Sequence, residues 1–208
     1  MSPERKKQDV ACGSVKERSW RAVLSFLAID QVWLRKDKKM ERRTNVVTFA
    51  GAPAVLLGTE VKVGDIAPDF KAIKGDLSEF HLSELRGKTV LISVVPSIDT
   101  DVCEAQTKRF NVEMDKLQDT VILTISTDLP FAQSRFCAAK GIENLIMLSD
   151  YRDLDFAHKY GFELEGMRLL SRGIVGIDKE GVIRYVEYVP EVANHPDYEK
   201  ALAAVKSF

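Results

Sequence analysis

Thr89-Val90-Leu91-Ile92-Ser93-Val94-Val95-Pro96-Ser97-Ile98-Asp99-Thr100-Asp101-Val102-Cys103 runs from a β-branched apolar stretch, through a proline and a short polar loop, into a helical start. The stretch Thr89 to Val95 has the composition of a strand buried on both faces, and Pro96, which has no N–H to give a ladder, should end it. Beyond the loop, Cys103, Thr107, Phe110, Met114 and Leu117 recur at offsets of 4, 7, 11 and 14 and so share one face of an α-helix. A buried strand feeding a helix is the unit around which the remaining elements arrange themselves.

Working outward, Val121 to Thr127 reads as a second strand, Pro130 to Lys140 as a helix closed by Gly141, and Leu145 to Leu148 as a third strand. Leu154 to Tyr160 reads as a helix. Gly173 to Asp178 and Val182 to Val189 flank a tight Lys179-Glu180-Gly181 turn, and Asp197 to Phe208 reads as a closing helix. Upstream, Val46 to Phe49 and Ala54 to Gly58 surround turn residues and form an N-terminal β-hairpin. Alternating strands and helices of this order predict an α/β protein of thioredoxin-like arrangement: a central mixed β-sheet, helices on both faces and an antiparallel edge hairpin.

The chain has 208 residues with 30 Lys plus Arg against 31 Asp plus Glu, a formal charge of −1. That balance supplies no overall basic field for nucleic acid or acidic lipid. Residues 1–44 nevertheless hold twelve bases and six acids, a net +6, which leaves −7 on the body. The chain therefore divides into a basic N-terminal extension, 1–44, and a domain, 45–208. The apolar run Ala22 to Ile29 in the extension is too short to span a bilayer and lacks a small-residue cleavage pattern, so neither a membrane anchor nor a secretory signal is expected. Met40 is an alternative first residue, with the segment before it read as upstream sequence. Three cysteines cannot build a disulfide framework. His81, His158 and His195 have no partner at metal-ligand spacing, and no glycine loop joins a strand to a helix, so neither a metal nor a nucleotide cofactor is expected.

Cys103 stands in the first turn of its helix, where free backbone N–H groups and the helix dipole favour an anion, and a thiolate is the nucleophilic form. Asp99 and Asp101 oppose a neighbouring anion. Thr100 can cap the helix or donate to the sulfur. Spacing alone leaves two readings open, a reactive thiol within reach of a small oxidant or a small core residue beside an ordinary N-cap.

Pro96, Thr100 and Cys103 match the Pro-x-x-x-Thr-x-x-Cys signature of peroxiredoxins in its strand-loop-helix setting. Gly64-Asp65-Ile66-Ala67-Pro68-Asp69-Phe70 resembles the opening segment of that family, and the hairpin with Leu57-Gly58-Thr59-Glu60 resembles the atypical two-cysteine thiol peroxidases among them. The likeness spans residues 46–208. It implies a peroxidase in which Cys103 attacks a hydroperoxide, Thr100 orients it, Pro96 shields the sulfur and an arginine stabilises the departing oxygen. Arg172, just before the strand at Gly173, fits that arginine, with Arg168 as rival. Gln106 matches a position that supports the arginine.

By the same resemblance Cys137 is the resolving cysteine, forming an intramolecular disulfide with Cys103. The two begin on separate helices, so local unwinding should accompany turnover. Cys12 receives no role. The resemblance further implies hydrogen peroxide and organic hydroperoxides as substrates, thioredoxin as reductant, a homodimer, a cytoplasmic location and no cofactor. A thioredoxin-like disulfide oxidoreductase would need a cysteine at position 100, where Thr stands. A peroxide sensor passing oxidation to a partner protein is the alternative that uses the same thiol.

Overall fold

A computed structural model describes residues 40–114, 117 and 119–208. Cys12 and the basic segment before Met40 lie outside the described residues. Met40–Phe208 form one compact unit. Its first strand begins at Arg42, so Arg42 and Arg43, counted by charge with the extension, belong to the sheet structure.

The strand predicted at Thr89 is β5 (Thr89–Val94), and every one of its residues is buried. It sits inside a seven-stranded sheet of order β11-β10-β5-β6-β7-β3-β4. Parallel pairing joins β5 to β6 (Thr120–Ser126) and β6 to β7 (Ile146–Ser149). Antiparallel pairing joins β5 to β10 (Gly173–Ile177), and β10 to β11 (Ile183–Tyr188), the edge hairpin that the tight turn announced. Beyond β7 lie β3 (Lys71–Ile73) and β4 (Glu79–His81), followed by a 3-10 turn, Leu82–Leu85. These three-residue strands carry too few residues to show an alternation, so the sequence pattern passed over them.

The two faces of β5 are covered separately. Val90, Ile92 and Val94 pack with Leu123, Ile125 and Val175 against Phe156, Ala157 and Tyr160 of helix α3 (Asp155–Tyr160). Leu91 packs with Ile122 and Ile174 against Phe110 of α1 (Asp101–Glu113) and Ala201, Leu202 and Val205 of α4 (Tyr198–Lys206). Helix α2 (Pro130–Lys140) starts with Pro at its first position and stops at Gly141, whose φ of 65° is the left-handed conformation that glycine adopts without a Cβ penalty. Each buried aliphatic or aromatic side chain here contributes about 1.5–3 kcal/mol relative to exposure. The predicted stripe on α1 is shorter than its spacing suggests: the helix ends at Glu113, and Leu117 reaches the same cluster from beyond it.

The N-terminal hairpin, β1 (Arg42–Phe49) and β2 (Ala52–Leu57), extends into a second sheet through β8 (Glu163–Leu164) and β9 (Leu169–Leu170). Its tip also grips the segment after β11, with Thr48 N–H donating to the Pro190 carbonyl at 2.7 Å and Val192 N–H to the Thr48 carbonyl at 2.9 Å. The hairpin thus fixes a loop that leads straight to the site described below.

Gly173, at the start of β10, has no room for a side chain: an added Cβ would strike the Glu187 carbonyl and lie 2.6 Å from Cε1 of Phe162. The G173A variant is expected to lose about 1–3 kcal/mol of stability from overpacking, read as a lowered midpoint in thermal unfolding.

Candidate active site

β5 ends at Val94, and the last ladder bond on this side runs from Val95 N–H to the Ile125 carbonyl at 3.1 Å. Pro96 follows, buried and without a donor, so the chain leaves the sheet there and no N–H is stranded. The loop turns at Ser97–Thr100 and enters α1. Thr100 is the N-cap, with extended backbone (φ −110°, ψ 146°) and a carbonyl that accepts from Glu104 N–H at 2.9 Å. Its hydroxyl does not cap the helix. It lies 2.8 Å from Cys103 Sγ, closer than the 3.4 Å to the Ser97 carbonyl, and its single proton is directed at the sulfur. A threonine that gives up its capping bond forgoes about 1 kcal/mol of helix stability. The local sequence therefore settles for a weaker helix start in order to place a donor on the thiol.

Arg172, the residue before β10, reaches the same sulfur. Nη2 donates to Cys103 Sγ at 3.2 Å, Nη1 donates to Gln106 Oε1 at 2.7 Å, and Nε donates to the Val192 carbonyl at 2.8 Å. The side chain is only 2% exposed, so each of these bonds replaces lost water. Gln106, one turn after Cys103, is fully buried. Because arginine offers only donors, the amide oxygen must face it, and Nε2 then donates to Ser93 Oγ at 2.8 Å. The sulfur, guanidinium, amide and serine form one chain from the start of α1 into the central strand. Arg168, the rival, donates instead to the Tyr151 carbonyl at 2.7 Å and does not bond the sulfur.

Cys103 is 0% exposed, so the sulfur is enclosed. The cause is its place on the inward stripe of α1 with Thr107 and Phe110, while Thr100 and Arg172 occupy two further sides of the sulfur. The burial is polar rather than hydrocarbon: two donors address the sulfur, which suits an atom bearing negative charge. Asp99, Thr100 and Asp101 next to it are exposed, so solvent lies immediately beyond the threonine.

Sequence reasoning missed three parts of this arrangement. Ser93 carried a signal, as a hydroxyl in an otherwise apolar doubly buried strand. The Val192 carbonyl carried none, because a backbone acceptor leaves no trace in residue type. Glu191, beside it, accepts from Thr48 Oγ1 and from the N–H groups of Ala50, Gly51 and Ala193. Those bonds, that of Ala193 first, hold its carboxyl down at about 2 and keep it an acceptor for the hairpin tip.

Cys137 lies on α2, partly buried beside Phe136, Ile142 and the loop residue Ile98. Both described cysteines are free thiols. Glu104, next to Cys103, pairs with Lys140, three residues after Cys137, at 2.9 Å, so the start of α1 and the end of α2 are neighbours. The histidines are elsewhere: His158 meets Glu163 and His195 meets Tyr198. Among the described residues no group of three or more His, Cys, Asp or Glu is placed to hold a metal ion, and no helix is long and apolar enough to cross a membrane.

The redoxin family profile matches residues 62–202. The thiol peroxidase of Oceanobacillus iheyensis is 57% identical over 157 residues, covering 76% of this chain and 96% of its own length. The thiol peroxidase of Bacillus subtilis is 50% identical over 161 residues, covering 77% and 96%. Among solved structures, a peroxiredoxin-like protein from Aquifex aeolicus superposes with a TM-score of 0.74 at 39% identity, over 81% of this chain and 98% of that one. The thiol peroxidase from Chromobacterium violaceum, at 20% identity, shares the fold with a TM-score of 0.70 over 77% and 95%.

Burial pushes the Cys137 thiol above its ordinary range, since desolvation penalises the charged form. The reactive thiolate is then scarcer at any given pH than in a peptide. Iodoacetamide should alkylate Cys137 of the folded, reduced protein more slowly than the unfolded chain, with a rate that keeps rising at pH values where the unfolded chain has levelled off. Peptide mapping of the adduct across pH measures both.

Proposed function

The chain belongs to the redoxin family and is a peroxidase that works through a thiol; from that premise we propose that Cys103 is the residue oxidised by hydroperoxides and Cys137 the residue that resolves it. The observation that carries the assignment is the pair of donors on one sulfur, Thr100 Oγ1 at 2.8 Å and Arg172 Nη2 at 3.2 Å.

In the first step the Cys103 thiolate attacks the nearer oxygen of the peroxide. The S–O bond forms as the O–O bond breaks, sulfur is oxidised to a sulfenic acid, and the departing oxygen takes a proton to leave as water or an alcohol. Arg172 meets the charge that gathers on the two oxygens, and it is held for that task before substrate arrives by Gln106 and the Val192 carbonyl. Thr100 Oγ1 can turn its hydrogen bond from the sulfur to the incoming peroxide. Since Thr100 is exposed and Cys103 is not, the peroxide enters past the threonine. Pro96 is buried at the foot of the loop, and the family resemblance supports its role in shielding the sulfur from water.

In the second step the Cys137 sulfur attacks the sulfenic sulfur, displacing hydroxide that leaves as water with the Cys137 proton, and a disulfide forms. A disulfide requires Cα atoms about 4.4–6.8 Å apart, and the two cysteines lie on separate helices, so the first turn of α1 unwinds. A dithiol reductant then restores both thiols by exchange. The family resemblance supports thioredoxin in that part, together with a homodimer and a cytoplasmic setting.

Hydroperoxide consumption coupled to a thioredoxin-type reductant tests the scheme. C103S should abolish turnover, while C137S should consume one equivalent of peroxide and then recycle poorly. Parental activity in either variant would defeat its assignment. One-time oxidation of the parent chain, with a partner protein trapped as a mixed disulfide, would point to the sensor reading instead.

A further inference from the structure

The loop that leads into the Cys103 helix is tied by a carboxylate to the base of the helix that carries Cys137. Asp128 lies in the connection between β6 and α2, two residues before Pro130. Its Oδ1 accepts from Ser97 Oγ at 2.8 Å; its Oδ2 accepts from Ile98 N–H at 2.8 Å and from Ser126 Oγ at 2.7 Å. Ser149 Oγ donates to the Asp128 carbonyl, and Gln133 of α2 donates to Ser126 Oγ at 2.9 Å, so the carboxylate is itself held by β6, β7 and α2.

The bonds on the far side of Ile98 are longer. Asp99 N–H reaches Ser97 Oγ at 3.3 Å and Thr100 N–H reaches the Ser97 carbonyl at 3.4 Å. A charged acceptor at 2.8 Å is roughly twice as strong as a neutral one, and neutral bonds weaken further at these distances. The loop therefore gives way after Ile98 before it gives way at Ile98. Ile98 is also 2% exposed and packs with Phe136 and Ile142, the cluster against which Cys137 rests.

We propose that Asp128 is a positioning residue for disulfide formation: it pins Ser97 and Ile98 to the base of the Cys137 helix, so that unwinding is confined to Asp99–Cys103 and the oxidised sulfur is delivered to Cys137. The proposal rests on the reading that Cys137 resolves the sulfenic acid. Reach is ample, because five residues from an anchor at Ile98 span up to about 17 Å when extended. What the anchor supplies is effective concentration: a short tether beside Cys137 keeps the sulfenic acid near its partner, and loss of the anchor lengthens the mobile segment. A sulfenic acid that waits longer is exposed to a second peroxide and to oxidation to the sulfinic acid. The first step depends on Thr100, Arg172 and Gln106, none of which Asp128 touches, and is left alone.

Rapid-mixing kinetics on the full chain with hydrogen peroxide, quenched by thiol alkylation and read by mass, separates the two steps. D128A should keep sulfenic acid formation within about twofold of the parent while slowing the Cys103–Cys137 disulfide about tenfold and raising the sulfinic fraction at excess peroxide. D128N, which keeps one acceptor oxygen, and S97A, which removes one of the three donors, should fall between and serve if D128A fails to fold. Equal slowing of both steps, as general destabilisation would give, or an unchanged disulfide rate in these variants overturns the role of Asp128. Absence of a Cys103–Cys137 disulfide in the parent protein overturns the resolving reading itself, and with it this proposal.

Discussion

A guanidinium buried among strands and helices must find an acceptor for each nitrogen or lose the solvation it left behind. Arg172 meets this requirement with one backbone carbonyl, one amide oxygen and one sulfur. Of the three, the sulfur is the only one that can carry negative charge. Much of the architecture serves to bring those acceptors to one place. The antiparallel pairing of β10 with β5 sets the start of β10 beside Val94, and α1 begins just past the end of β5. The N-terminal hairpin then grips the segment from Pro190 to Val192, whose carbonyl closes the set.

The same packing explains why the sulfur is both enclosed and useful. An apolar neighbour in place of Gln106 would leave Nη1 without a partner in a dry site, and a hydroxyl turned to cap the helix would leave the sulfur with one donor fewer. Helix stability and helix-end satisfaction give way at Thr100 so that the sulfur is held. The longer bonds of Asp99 N–H and Thr100 N–H, at 3.3 and 3.4 Å, lie in the segment that the proposed disulfide step would move.

Much of this was legible in the residues because long elements write their period into the chain. The β5 run, the α2 helix with Pro130 at one end and Gly141 at the other, and the β10–β11 turn at Lys179-Glu180-Gly181 are strong local signals, and the structure places each within a residue or two of its expected limits. Strands β3, β4, β8 and β9 were not legible, having two or three residues each and owing their form to the neighbours they pair with. At the site, Cys103, Thr100 and Arg172 were chosen by a motif and an adjacent strand, and the structure brings them together. The inward face of Cys103 was one of the two readings its spacing left open, but its full enclosure was not legible, because helical spacing gives the face a residue occupies and not how completely its neighbours close over it. Gln106 faced inward for a reason no local pattern holds: its partner, Arg172, is 66 residues away.

The central interaction is tested most directly by the second-order rate of Cys103 oxidation in R172K, measured by competition for limiting hydrogen peroxide in a Cys137→Ser background with the fold checked by circular dichroism. Lysine keeps a positive charge but cannot reproduce the planar fork that spans the sulfur and the Gln106 amide. A fall of about 100-fold or more, the scale seen when one preorganised donor is removed from developing charge, is the expected result. A folded R172K protein whose Cys103 reacts as fast as the parent would contradict it.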